Sequence, residues 1–235
     1  MLHIYGRIDC MYLGSEFHRY WARCGLQDKH PDDVAYLHDS PFVHDVRPCP
    51  FDGPLEKAKV VICLANPNYG DGRDVAKLNQ LVMNLRSGEE GLPEEFDDYY
   101  RSRIARPMGI PLELLRNQVA VLNICPYASV RMSGEAIRSA AGLPSVWQAQ
   151  KYLREVLIPR AQTGNIYLLF IRKLQLWGIT QSLEEHGNLR VIKNLAISGV
   201  MPKILGQEIL EWLVRKRYIT NLNQCESEAH ENSQV

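Results

Sequence analysis

The chain reads as an α/β protein: a three-layer α/β/α arrangement around a central four-stranded parallel sheet. Three observations point there. Largely apolar runs of strand length at 60–65, 119–124 and 166–171 look like parallel strands buried on both faces. Segments with helical apolar spacing alternate with them, as a sheet covered on both faces requires. The first two runs stop abruptly in turn chemistry, Asn66-Pro67-Asn68-Tyr69-Gly70-Asp71-Gly72 after the first and Pro126 after the second. Loops at the carboxyl ends of such strands are where open α/β sheets place their ligands.

Each element follows from its residues. Positions 1–47 form an extension rich in aromatic and His residues, within which 16–24 suits a short helix capped by Ser15. Its histidines lack metal-ligand spacing and read mostly as surface groups or as support for a site. Residues 47–54, punctuated by Pro48, Pro50, Gly53 and Pro54, make a loop that delivers the chain to the first strand at 60–65. Asp74 suits the cap of a helix at 75–85, where Val75, Leu78, Leu81, Val82 and Leu85 share a face.

Residues 87–117 read as a helical insertion with a solvated acidic face followed by Arg101, Arg103 and Arg106. The second strand, 119–124, must end at Pro126, which cannot continue a central ladder. Val146, Ala149, Leu153 and Leu157 mark an amphipathic helix over 145–158. The third strand is 166–171, with Arg172 and Lys173 at its end, and 189–197 is the fourth. A last helix, 203–218, turns Ile204, Leu205, Ile209, Leu210 and Leu213 to the core and ends in cations that suit its dipole. Residues 1–220 thus read as a single domain, and the polar 221–235 as a disordered tail.

Composition narrows the function classes. Formal net charge is zero, so any nucleic-acid contact must be a local patch rather than a global field. The six cysteines form no C-x-x-C pair, which argues against zinc, an iron–sulfur cluster or a disulfide framework. No cofactor or metal is expected. No apolar run approaches the ~20 residues that span a bilayer, and no signal peptide leads the chain, so a cytoplasmic protein, monomeric by default, is the expectation.

The string Ala65-Asn66-Pro67-Asn68-Tyr69-Gly70 after a buried strand resembles motif A of the uracil-DNA glycosylase superfamily. In the single-strand-selective and mismatch-specific branches that motif reads G-x-N-P-G. Leu122-Asn123-Ile124-Cys125-Pro126-Tyr127 is similar to the N-x-C-P-L segment of the single-strand-selective branch. The resemblance covers roughly 48–218 and includes the order of the elements. Two features depart from it. The family's H-P-S-P motif before the last helix is here Ile197-Ser198-Gly199-Val200-Met201-Pro202, without a His. The glycine after the motif A proline is replaced by Asn68-Tyr69.

The resemblance implies a monofunctional DNA glycosylase. It would hydrolyse the N-glycosidic bond of a flipped, non-standard pyrimidine and leave an abasic site. Asn66 would position the water, Asp71 would supply a carboxylate if a base is needed, and Ser198 would take part of the missing His role. Pro67, Asn68, Tyr69, Asn123 and Tyr127 would hold the base, Asn123 by its edge and the tyrosines by stacking. Arg172, Lys173, Lys193, Gly199 and Lys203 would meet DNA, single-stranded or with an extrudable base. The departures leave room for a bulkier base than uracil. A hypermodified cytosine, such as a glucosylated hydroxymethylcytosine of phage DNA, is the specific expectation, and phage defence the setting. A nucleic-acid-binding module without activity and a nucleoside or nucleotide hydrolase are the alternatives.

Overall fold

The structure is a computed structural model that describes residues 15–25, 27–67, 75–76, 79–80, 82, 100–171, 174–179, 187–192 and 201–219. It is a mixed α/β protein. The sheet runs β1 (Phe51–Asp52), β3 (Val119–Asn123), β2 (Val60–Leu64), β4 (Tyr167–Ile171), β5 (Leu189–Ile192) from edge to edge. β2 to β5 are mutually parallel, with Ile62 opposite Val121 on one side and Leu169 on the other.

The expected four-stranded, all-parallel sheet is corrected here: it has five strands and is mixed. β1 lies antiparallel on the free edge of β3, pairing Phe51 with Leu122 and Asp52 with Val121. It grows from the Pro-punctuated loop. Cys49 N–H donates to the Pro126 carbonyl (2.8 Å) and Asn123 N–H to the Pro50 carbonyl (2.8 Å). Pro48 and Pro50 have no N–H to extend the ladder, so the strand stays two residues long.

Alternation along the strands sends side chains to two cores. Val61, Cys63, Ala120, Leu122, Leu168 and Phe170 face one. Val60, Ile62, Val119, Val121, Tyr167 and Leu169 face the other. The first core is closed by α1 (Glu16–Ala22), α2 (Gly134–Ala141) and α3 (Pro144–Tyr152). In α1, Ser15 Oγ accepts the His18 N–H, and Phe17, Tyr20 and Trp21 form the buried face. The ring of Phe17 stacks on that of Tyr152 at 4.9 Å. α3 continues through a π-helical turn, Leu153–Leu157, into Ile158–Gln162. Pro159 lacks the N–H owed to the Glu155 carbonyl, a physical cause for the widened turn.

The second core is closed by the π-helical turn Arg101–Ala105, the short helices Arg106–Met108 and Leu112–Leu115, and α4 (Lys203–Arg215). At Gly206 α4 crosses Arg106–Met108 so closely that a Cβ would sit 2.4 Å from the Pro107 carbonyl oxygen.

Of the expected helix at 75–85, the described residues Val75, Ala76, Asn79, Gln80 and Val82 are helical. The fourth strand ends at Ile192 within the described residues, and 193–200 lie outside them, as does the expected tail at 221–235. No helix among the described residues is long and apolar enough to cross a membrane.

Candidate functional site

The chain leaves β2 toward β3 on one side and then returns past β2 to β4 on the other. That reversal falls between β2 and β4, and the region beyond the carboxyl ends of two such strands is where sheets of this class bind ligands. Asn66, two residues past the end of β2, stands at that end of the sheet and is half-buried.

The Asn66 amide is tightly fixed. Nδ2 donates to the Pro67 carbonyl (3.0 Å), the Tyr127 carbonyl (3.2 Å) and Ser129 Oγ (2.8 Å). Two carbonyl acceptors identify that end as the nitrogen, and three acceptors use up its two N–H groups. Oδ1 accepts no hydrogen bond among the described residues. The Pro67 carbonyl also accepts the Ser129 N–H (3.3 Å), closing the β2 loop onto the β3 loop.

Asn123 ends β3 directly opposite Leu64 and is 3% exposed. Its Nδ2 donates to the Cys49 carbonyl (3.0 Å), so this amide ties the β1 segment to β3. The two asparagines therefore close adjacent strand ends, each with its nitrogen held by backbone.

Tyr127 is buried. Its hydroxyl donates to Asp33 Oδ2 (2.8 Å) and accepts the His30 N–H (3.2 Å), while its ring lies 5.9 Å from Phe42. Burial, with Asp33 beside it, pushes the hydroxyl well above the usual phenol range. Asp33 Oδ1 accepts the Ser145 N–H (3.0 Å) in the first turn of α3. His30 stacks on Tyr20 at 3.9 Å; its Nε2 faces the Tyr20 carbonyl (3.0 Å) and Nδ1 the Asp32 N–H (3.2 Å). Those partners make Nε2 the protonated nitrogen of a neutral ring, and burial lowers its pKa.

A second polar group sits on the β1 edge. Tyr100 Oη donates to Asp52 Oδ2 (3.0 Å) and Cys49 Sγ to Asp52 Oδ1 (3.1 Å). Asp52 is half-buried as a residue, but its carboxyl lies inside the protein, and desolvation raises its pKa against both hydrogen bonds. Burial also pushes the Cys125 thiol up to about 12, so it is an inert core group.

Of the residues expected from sequence, Asn66, Pro67, Asn123 and Tyr127 come together at the adjoining ends of β2 and β3. Lys203 is exposed at the start of α4. Asn68, Tyr69, Asp71, Arg172, Lys173, Lys193, Ser198 and Gly199 lie outside the described residues. Met201 is 2% exposed in the second core. Sequence reasoning missed Ser129, Asp33 and His30, which hold Asn66 directly or through Tyr127. Among the described residues no cluster of His, Cys, Asp and Glu is arranged to hold a metal. Comparison with protein-family models, curated proteins and solved structures finds no match.

Proposed function

We propose that the chain hydrolyses the N-glycosidic bond of an extruded nucleobase in DNA, with Asn66 as the water-positioning residue. One observation carries this reading: the Asn66 amide nitrogen is held by Pro67, Tyr127 and Ser129, and its oxygen accepts no hydrogen bond among the described residues. A fixed acceptor of that kind orients a water without deprotonating it. The chemistry suits it. The bond between the sugar C1′ and the base nitrogen breaks, and the base departs with the electron pair. The water oxygen then bonds to the electron-poor C1′ and gives up its proton to solvent, and the base takes one up. A strong base is unnecessary, and preorganisation does the work.

Asn123 stands at the neighbouring strand end, where it is 3% exposed and spends one of its two N–H groups on the Cys49 carbonyl. The helices on both sheet faces suit the three-layer arrangement of the glycosylase resemblance. Asp71, Ser198, the loop residues Asn68 and Tyr69, and the cations Arg172, Lys173, Lys193 and Lys203 complete the proposed site on the sequence side. A non-hydrolytic nucleic-acid-binding module is the second reading, favoured by the commitment of the Asn123 and Tyr127 polar groups to internal partners.

The test is incubation with DNAs that differ in base modification, scored for released base and alkali-labile sites. Wild type releases base from at least one of them, and Asn66→Ala loses 10²-fold or more, the order of one preorganised group. Saturable DNA binding with no released base from any substrate would select the binding module.

A further inference from the structure

The amino ends of the parallel strands carry a cluster of cations that the proposed site does not use. Lys59 directly precedes β2. Its N–H donates to the Gln118 carbonyl just before β3 (2.8 Å), and its carbonyl accepts the Tyr167 N–H at the start of β4 (2.7 Å). The Lys59 ammonium lies over the Tyr218 ring, 4.7 Å from its centre. The Trp212 ring meets that of Tyr218 (5.5 Å) and that of Tyr167 (5.5 Å). These contacts fix the end of α4 at the amino end of the sheet. Arg215, Lys216 and Arg217 are all exposed there, and Lys57 is exposed two residues before Lys59.

The acids nearby are spent on other partners. Glu208 accepts from the Tyr167 hydroxyl and the Arg190 guanidinium, Glu56 from the Ser15 N–H, and Glu211 from the Gln207 amide. Arg215, Lys216 and Arg217 make no ion pair among the described residues. In a chain of zero net charge this is a local positive face.

The backbone at Arg217 is a second, independent observation. α4 closes with paired bonds, Tyr218 N–H to the Leu213 carbonyl (3.0 Å) and Arg217 N–H to the Val214 carbonyl (2.9 Å). That closure puts the residue after the helix cap in the left-handed region, where glycine is the usual occupant. Here it is Arg217, at φ +58°, a conformation that a side chain strains and glycine does not. The helix dipole accounts for a cation in the last turn, which Arg215 supplies. It does not call for an arginine at the position glycine fills best. Strain kept at an exposed cationic corner points to a ligand. Lysine and arginine heads offer donors only, the complement of a polymer that is anionic throughout. Duplex DNA, with one negative charge per about 1.7 Å of its axis, has the densest such surface.

We propose that the face formed by Lys57, Lys59, Arg215, Lys216 and Arg217 docks the phosphate backbone of duplex DNA without reading its bases. Asn66 stands beyond the opposite end of β2, a strand that alone spans about 17 Å. The face is therefore separate from the proposed site, and the inference does not rest on the glycosylase reading.

The experiment titrates the full chain against a fluorescent duplex of unmodified bases over a range of salt, and follows thermal unfolding of the same proteins. Arg217→Gly melts above wild type, because glycine relieves the left-handed backbone, and yet binds the duplex more weakly. Its slope of log affinity against log salt shrinks by about 0.9, the share of one phosphate contact. Lys216→Gln loses a similar slope at an unchanged melting midpoint. Arg138→Gln, an exposed cation of α2 on the other side of the sheet, keeps the wild-type slope. Wild-type affinity and slope in both Arg217→Gly and Lys216→Gln overturn the inference. So does an equal loss in Arg138→Gln, which reduces the effect to net charge. A midpoint of Arg217→Gly below wild type makes the arginine a structural group and overturns it as well. Tighter binding to phosphatidylserine vesicles than to the duplex overturns the assignment to DNA. Binding through this face with no base released from any DNA supports the inference and removes the glycosylase reading. Released base with a salt slope indifferent to these cations overturns the inference alone.

Discussion

Replacing Asn66 by Asp tests whether its amide nitrogen is the structural end of the side chain. The substitution keeps the shape and exchanges Nδ2 for oxygen. In the native protein that nitrogen faces the Pro67 and Tyr127 carbonyls and Ser129 Oγ. An ionised Asp would meet two carbonyl oxygens with a third, negative one, and only the Ser129 hydroxyl could turn to donate. Two amide–carbonyl bonds lost at about 1 kcal/mol each remove roughly 2 kcal/mol. Crowding of the anion by carbonyl dipoles would raise its folded-state pKa by about two units, a further ~2.7 kcal/mol at neutral pH. Asn66→Asp is therefore expected to lose about 4–5 kcal/mol at pH 7. The sign of the pH dependence follows. A carboxyl whose folded pKa lies above its unfolded value is stabilising only while protonated, so the deficit shrinks as pH falls from about 6 toward 4. Urea unfolding of both proteins at pH 7 and at pH 4.5 measures it. Equal stability at pH 7, or a deficit unchanged by acid, would mean that the amide is not oriented as described. The variant also bears on mechanism: although a carboxylate is the stronger base, this site is built to reject one.

Tyr127→Phe strips the Asp33 carboxyl of a donor and the His30 N–H of an acceptor inside the core. The expected loss is about 2–4 kcal/mol, read as a lower urea midpoint at unchanged m-value; a loss under half of that would show that the two groups find other partners. His30 is held neutral, with its folded pKa below the unfolded value of about 6.5. Its contribution is present above that value and drains away as pH falls below it, so ring-proton NMR should show a titration midpoint under 6.5, and a midpoint above 6.5 would contradict the tautomer. Gly206→Ala gains up to about 1 kcal/mol of helix propensity. It also drives a methyl to 2.4 Å from the Pro107 oxygen, so a net loss of about 1–3 kcal/mol and a lower thermal midpoint are expected. A higher midpoint would mean that the helices separate freely.

The strands that proved legible are those buried on both faces. In β2, β3 and β4 that burial writes itself as a run with at most one polar residue, and their observed bounds fall within a residue of the expected 60–65, 119–124 and 166–171. β1 was not legible, because Pro48 and Pro50 read as a loop and a two-residue strand has no period to detect. α2 escaped for a different reason. Its buried face is Ala136 and Ala140, too small to stand out, and its clearest sign is Ser133, whose Oγ accepts the Ala136 N–H (3.2 Å). At the site, Asn66 was marked by its place between a buried strand and Pro67. Ser129 was not, since the contact that matters spans 63 residues of chain. His30 was not singled out among the histidines before 48, because no local pattern distinguishes a solvated imidazole from one stacked on a tyrosine.

The residues before 48 were expected to be an extension to the domain, and their contacts argue for a larger part. Phe17, Trp21, Leu37 and Phe42 belong to the first core. Asp33, from the same segment, holds Tyr127 with one oxygen and the start of α3 with the other. The Tyr127 carbonyl in turn receives the Asn66 amide. The orientation of Asn66 is thus set by two contacts in series that begin in this segment, and a displacement at Asp33 reaches Asn66 through a single buried residue. Loops at strand ends are ordinarily the soft part of an α/β sheet. Here the loop after β3 is pinned from below by a buried carboxyl and from the side by Pro67 and Asn66, which gives Asn66 the rigidity that its proposed water-positioning role would demand.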